Sequence, residues 1–512
     1  MEASRGEVAF TSYSTPSEPD LDAIFTCEKP CGLAEGVPAH MQLQRGSSVC
    51  RQVAGRRGEW SSQARRQRSL GEQRLFWLQA AQIGALPLTA PLQKMSTAQN
   101  ASTAHRADRV DSPLALRHIA ITFDTTAPEK SALQLVQEYD PSWESEQGPV
   151  EFIRFTDGIT NTLMKAIKKR PALTDLQIDQ NAILIRAYGQ GTHVLIDRER
   201  ELRAHNLLAN LGLAPPLLAR FDNGLMYKFI PGHVCSHTDL AKPEIYRQVA
   251  SRLGQWHSLP ISAITTTPIL DSEPETQKHL APKTGNNTRP HPNTWSVMRM
   301  WLDALPQNTD EERERVLMLE TELEWLESKL GNTKGFDGKD FVFAHHDLLC
   351  GNVIVDIHSE EKEKPVHFID YEYATPGPAA FDIANHFAEW AGYDCEHEAV
   401  PNKSQRKEFL KHYVASYRYH SISDEDTLTL DIDFQRDLDT LNVQVDLWRG
   451  VPGFYWGIWA LIQATISQID FDYVKYAEGR LKEYWSWKEE VTGTRKKEGR
   501  EMYVREKKWQ SE

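Results

Sequence analysis

From about Leu114 onward the apolar positions follow two regimes, and the change falls near Gly232. The first regime is short and alternating. "ALRHIAITFD" reads as a strand, and "VEFIRFTDGITNTLMKAIK" as strand, turn, strand, with Asp157-Gly158 as the turn signal. "AILIRAYG" reads as a short buried strand, and "PLLARFDNGLMYKFIPG" as a hairpin with Asn223-Gly224 at its tip. Two stretches have helical spacing instead. One is "SALQLVQEYDPSW", through Leu133, Leu135, Val136 and Tyr139; the other is "DRERELRAHNLLANLG", with Asp197 as cap and Gly212 as stop. Strands and hairpin together predict a small antiparallel sheet with one helix packed on it.

From Ser236 the spacing turns helical, first through "EIYRQVASRLGQWHSL", then at about Trp295, and again over Glu311–Leu330. A Thr/Pro/Asn-rich insertion follows the first of these helices and reads as mobile. One β-hairpin, "FVFAHHDLLCGNVIVDIHSEEKEKPVHFIDYEYA", breaks the run before helices resume to about Trp487. The fold class expected is α+β and bilobal. The expected parts are a disordered tail over residues 1–112, an N-lobe over 113–231, a C-lobe over 232–490, and a charged, frayed tail over 491–512. The opening region shows no sustained period, and Met95 stands as an alternative start.

Composition narrows the partners. Of 512 residues, 40% are hydrophobic and 25% charged, ordinary for a soluble globular protein. The net charge of −14 disfavours nonspecific grip on nucleic acid or anionic membrane. The most apolar N-terminal stretch, Leu75–Leu92, is broken by Gln79, Gln82, Pro87 and Pro91, so no membrane insertion is expected. The Arg-rich run from Arg45 to Arg74 follows an acidic opening, unlike a transit peptide; a tail that binds acidic partners stays open. Six scattered cysteines without zinc-site spacing fit a reduced, cytoplasmic protein.

The strongest chemical signal is His345-x-Asp347-x-x-x-x-Asn352, followed by a strand, a polar turn and a strand ending at Ile369-Asp370. Phosphoryl transfer asks for these residue types. A carboxylate must orient the acceptor hydroxyl and take its proton, and hard oxygen ligands must hold Mg²⁺ on the ATP phosphates. One loop can supply both Asp347 and Asn352, and the hairpin then folds Asp370 back beside Asn352. His345 is expected to brace this loop, and Asp382 to hold it from below.

These segments, with "HFIDYEYATPGPAAFDIANHFAEWAG" and "GFYWGIWALIQATISQIDFDYVKYAEGRL", resemble the choline/ethanolamine kinase family, over about Leu114 to Trp487. The wording of "HxDLLxxN" and "NHFAEWAG" is closer to its ethanolamine branch. The resemblance implies a protein-kinase-like fold with ATP and Mg²⁺ between the lobes. It gives Asp347 as catalytic base and Asn352 and Asp370 as metal ligands. Most relatives carry Asn where this chain has His346.

On the nucleotide side, Gly158, Thr160 and Asn161 form a turn whose small residues would let backbone N–H groups approach phosphates, although an ordinary Asp-Gly hairpin turn reads equally well. Arg186 stands where kinases place a phosphate-pairing Lys, and the family uses Arg there. Glu201 is expected to orient it, although its neighbours would also suit a solvated helix face. Lys228, Phe229 and Ile230 precede Pro231-Gly232, where a hinge backbone would meet adenine. On the acceptor side, Trp456 and Trp459 share a helix face, which by spacing alone favours an aromatic core stripe over a pocket lining. The resemblance makes Trp456, Trp459 and Tyr476 the lining of an amino-alcohol pocket and Glu389 its countercharge. The expected reaction is phosphorylation of ethanolamine at the entry to phosphatidylethanolamine synthesis. A choline kinase or a nucleotide-binding pseudokinase are the alternatives.

Overall fold

The computed structural model describes residues 116–155, 161–189, 192–262, 292–421, 430–467 and 469–512. Gly158 and Thr160, the opening tail and most of the Thr/Pro/Asn-rich insertion lie outside them. The elements used below are β1 (Arg117–Ile119), α1 (Pro128–Tyr139), β2 (Val150–Phe155), β3 (Asn161–Lys168), β4 (Ile183–Tyr188), α2 (Arg198–Asn210), β5 (Leu217–Phe221), β6 (Gly224–Lys228) and β7 (His233–Val234). They continue with α3 (Pro243–His257), α4 (Thr294–Asp303), α5 (Asp310–Leu330), β8 (Val342–Ala344), β9 (Val353–Val355), β10 (Val366–Phe368) and β11 (Thr375–Gly377). Last come α6 (Ala379–Glu389), α7 (Lys403–Ser421), α8 (Leu430–Trp448), α9 (Val451–Ile466), α10 (Tyr473–Val491) and α11 (Val504–Gln510).

A six-stranded sheet in the order β1-β5-β6-β4-β3-β2 forms the first layer. Its two faces follow the period of two in β4. Ile183, Ile185 and Ala187 join Leu135 and Val136 of α1 in one core, while Leu184 and Tyr188 face Leu202 of α2. Two helices therefore cover the sheet where the pattern predicts one, because both faces of β4 are apolar. The sheet is antiparallel except at its edge, where β1 pairs parallel with β5. Asn223 fixes that edge strand's exit: its side chain accepts from the Phe123 N–H at 2.8 Å and donates to the Phe123 carbonyl at 3.0 Å. Asp197 caps α2 as expected, accepting from the N–H groups of Glu199 and Arg200.

The second lobe is mainly helical. Helices α3 and α7 approach closely at Gly254, where a Cβ would stand 2.5 Å from the Tyr413 carbonyl oxygen. Trp256, on the same helix, sits among Phe343, His345, Phe368 and Tyr371 and ties α3 to the strands that carry the chemistry. Those strands are short antiparallel pairs, β10-β9-β7 and β11-β8.

The end of the chain differs from the frayed tail expected. The stretch 502–512 ends in α11, where Trp509 is fully buried, donates to Asp446 at 2.6 Å and lies under the Arg406 guanidinium. High charge density suggested solvation, but Arg505 and Glu506 are buried in compensating ion pairs. Residues 488–501 carry ion pairs of their own, from Arg500 to Glu489 and Glu498. Among the described residues no helix is long and apolar enough to cross a membrane.

Candidate active site

The loop after β8 is held from beneath by one carboxylate. Asp382, in the first turn of α6, accepts the N–H of His345 at 2.8 Å and of His346 at 2.7 Å. It also takes Nε2–H of His257 at 2.8 Å, while His257 Nδ1 accepts from the Tyr413 hydroxyl. Burial opposes a charge on Asp382, but the His257 bond together with the charges of His257, His346 and His345 outweighs it and holds the carboxyl well below its usual range. His346 takes φ +62° here, a left-handed conformation uncommon for a bulky residue. His345 Nε2–H donates to the Ile369 carbonyl and its Nδ1 accepts from the Asp347 N–H. His345 thus braces the loop, as its position suggested, and Asp382 holds it.

Asp347 then projects from a loop of fixed shape. The Asn352 side-chain amide donates to the Asp347 carbonyl at 2.7 Å and to its carboxylate at 3.1 Å. Ile369 N–H bonds the Asn352 carbonyl, continuing the β9–β10 ladder one step, so Asp370 emerges beside Asn352. The convergence inferred from spacing is present. Burial pushes the Asp347 carboxyl well above its usual range, and the charges of Asp370, Glu389 and Glu372 push the same way.

The first lobe meets this loop through arginines. Arg186 of β4 lies 3.1 Å from Glu201 and 2.8 Å from Asp370, and it also pairs with Glu372. Arg198 bonds Glu201 at 2.9 Å, Glu372 at 3.2 Å and Asn161 at 3.2 Å, and the Asn161 amide itself donates to Glu372 at 3.1 Å. The Arg186–Glu201 pairing expected from the sequence is therefore formed. Glu372 and Arg198 were not singled out. The available signal was a second carboxylate two residues after Asp370 and an Arg three before Glu201, both commonplace alone.

A divalent cation fits this donor set. The carboxylates of Glu201, Asp370 and Glu372 lie within 4.8 Å of one another. Glu201 and Glu372 are each committed to two guanidiniums, whereas the buried Asp370 Oδ1 makes no hydrogen bond despite its proximity to Arg186. Both side-chain bonds from Asn352 to Asp347 are made by its amide nitrogen, so neither uses its side-chain oxygen. Repulsion among Asp347, Asp370 and Glu372 is the kind that a bound cation relieves.

At the expected hinge, the Lys228 N–H bonds the Pro216 carbonyl and the Phe229 N–H the Ala182 carbonyl. Among the described residues, Ile230 is the hinge position whose N–H has no protein acceptor. The Phe229 ring turns into the sheet side, stacked with Phe155 and capped by Lys165.

On the other side of Asp347, Trp456 and Trp459 stand edge to face at 5.4 Å. Their indole N–H groups donate to Asn385 and to the Tyr373 hydroxyl, both at 2.8 Å. The rings continue through Tyr473 and Phe471 to Tyr476. Glu389 is buried, with Arg480 donating to it at 3.3 Å, and Arg480 lies toward the Tyr476 ring. Burial raises the Glu389 carboxyl and Arg480 opposes that. Tyr373 and Arg480 went unrecognised in the sequence.

Residues 152–485 match the model of the choline/ethanolamine kinase family. Ethanolamine kinase 1 of Homo sapiens is 31% identical over 374 residues, covering 71% of this chain and 72% of that protein. Ethanolamine kinase 1 of Mus musculus is 31% identical over 371 residues, covering 70% of this chain and 90% of that protein. Among solved structures, an ethanolamine kinase of Plasmodium vivax aligns with TM-score 0.53 at 23% identity, over 70% of this chain and 88% of that one. A choline kinase of Cryptosporidium parvum aligns with TM-score 0.52 at 20% identity, over 72% and 97%. The fold is the bilobal α+β fold of the protein-kinase-like group, and the chain belongs to the choline/ethanolamine kinase family.

Proposed function

We propose that the chain transfers the γ-phosphoryl group of ATP to the hydroxyl of ethanolamine, giving phosphoethanolamine and ADP. The observation that carries this reading is the meeting of Asp347, Asn352 and Asp370 with Arg186 across the two lobes. Asp347 accepts the hydroxyl proton as the acceptor oxygen attacks phosphorus in line and the bond to the β-phosphate oxygen breaks. Asn352 and Asp370 would hold Mg²⁺, which when bound neutralises charge on the phosphates. Arg186, oriented by Glu201, faces the phosphates, and Ile230 offers its N–H to adenine.

The acceptor's ammonium group is read toward Glu389, with Trp456, Trp459 and Tyr476 around its ethylene chain. A primary ammonium donates three hydrogen bonds, and Glu389 is an acceptor on that side. Named relatives at about 31% identity that act on ethanolamine support the same branch.

The test is turnover of purified full-length chain with Mg-ATP and ethanolamine or choline, each alone, beside Asp347→Asn. A larger kcat/KM for ethanolamine, lost by at least roughly a thousandfold in the variant, supports the reading. A preference for choline overturns the acceptor assignment. Unchanged turnover in Asp347→Asn overturns the mechanism.

A further inference from the structure

The family match ends at residue 485, yet the chain beyond Glu501 is packed against the same lobe as Glu389. Two routes lead inward from it. The first is a line of buried charges. Arg505 donates to the Arg449 carbonyl at 2.6 Å and places Nε 3.8 Å from Glu483. Glu483 faces Arg480 Nε, also at 3.8 Å, and Arg480 donates to Glu389. At the outer end Glu506 pairs with Arg449 at 2.8 Å. The second route is a brace on the turn after α6. Tyr503 packs on the His397 ring at 5.3 Å, and His397 bonds Glu483 at 2.8 Å. That turn takes left-handed conformations at Gly392 and Cys395 and carries Tyr393, which is half-exposed.

The charge order gives the line its consequence. Glu483 lies between two guanidiniums, so Arg480 is shared with Glu389 instead of being held by Glu483 alone. Take Arg505 away, and Glu483 keeps Arg480 as its guanidinium partner in a buried setting, where an unpaired carboxylate is costly. Arg480 is then drawn from Glu389. Cys395, His397 and Glu483 also have metal-ligand chemistry within 4.8 Å, but the two guanidiniums already offset the Glu483 charge. The group therefore works as a relay of ion pairs.

We propose that the C-terminal segment, residues 502–512, is a positioning element for the acceptor end of the active site, acting through Arg505 and Tyr503 on Arg480 and Glu389. This rests on Glu389 being the ammonium partner. The test uses the full chain carrying Arg505→Met, Tyr503→Ala or Arg505→Lys. In Arg505→Met and Tyr503→Ala, the KM for ethanolamine rises by about fivefold or more, while kcat and the KM for Mg-ATP stay within about twofold. Arg505→Lys recovers part of the loss. Hydrogen exchange read by mass spectrometry serves as the readout independent of turnover: amides from Ala391 to Glu396 exchange faster, and those of 345–352 do not. A proportional rise in both KM values with general loss of protection means a merely structural role and overturns the proposal, as does no change in either readout. If Arg505→Met does not fold, Tyr503→Ala decides. Wild-type protein inactive on ethanolamine, with the exchange change still confined to 391–396, removes the acceptor assignment and leaves the positioning role standing.

Discussion

Asn352 donates from a single amide nitrogen to two oxygens of Asp347, the backbone carbonyl at 2.7 Å and the carboxylate at 3.1 Å. The contact fixes where the base points and favours its charged form against burial. Asn352→Ala removes both the donor and one oxygen offered to Mg²⁺. The expected result is a fall in kcat of about a hundredfold and a rise of about tenfold in the Mg²⁺ needed for half-maximal rate. The acid limb of kcat/KM moves to higher pH, because the Asp347 carboxyl loses the bond that lowers it. A magnesium titration at several pH values checks all three; an unchanged Mg²⁺ requirement rules out Asn352 as a ligand.

Glu372 ties the lobes together from the catalytic side. Arg186, Arg198 and Asn161 all reach it, and all three belong to the strand-and-helix layer. Glu372→Ala leaves Arg186 with Glu201 and Asp370, and frees Arg198 from one of two carboxylates. The KM for Mg-ATP is expected to rise roughly tenfold with the acceptor KM little changed. Arg198→Met should give the same sign with smaller size, since Asn161 still reaches Glu372. Acceptor KM moving instead would place Glu372 outside the nucleotide side.

Asp382 accepts two loop N–H groups and the His257 imidazole, and it is fully buried. Asparagine at this position turns an N–H₂ group toward a donor that had an oxygen. The expected cost is about 3 kcal/mol in unfolding free energy, read from urea denaturation. Because the carboxyl is held below its usual range, its stabilising contribution is present above the ordinary value near 3.8 and is lost as pH falls through the folded value. A variant as stable as wild type would show that the loop is held by other contacts.

The parts legible in the sequence share one property: they depend on local spacing. Asp347 and Asn352 share a loop, and the register of β9 with β10 brings Asp370 back to it, so counting residues was enough. Asp197 as a cap and Asn223-Gly224 as a hairpin tip are equally local. Glu372 and Arg198 were not legible, since each gains its meaning from a partner more than 170 residues away. At the expected hinge, which N–H groups stay open depends on Pro216 and Ala182, which lie just ahead of two other strands, β5 and β4. The end of the chain was misread for a related reason. Charges paired across 22 or 57 residues look, along the sequence, like a solvated run.

His346 occupies a position where the family resemblance puts asparagine, and it does so at φ +62°. Its Nδ1–H bonds the Tyr373 carbonyl at 3.3 Å and its Nε2 accepts from Thr294 at 3.1 Å, so the ring is a neutral tautomer with both nitrogens engaged. Burial pushes His346 down to about 4, as it does His345 and His386. Between about 4 and 6.5 the unfolded chain therefore binds more protons at these rings than the folded one. Stability from this source is complete above pH 6.5 and is lost as pH falls toward 4. His346→Asn removes one such ring and places a residue that tolerates left-handed backbone more readily, at the loss of two side-chain bonds. At pH 7.5 the unfolding free energy should change by no more than about 1 kcal/mol. From pH 6.5 to 4 the variant should lose stability more slowly than wild type. Parallel pH curves for the two proteins would mean that His346 takes up its proton without leaving the fold, through contacts other than those to Tyr373 and Thr294.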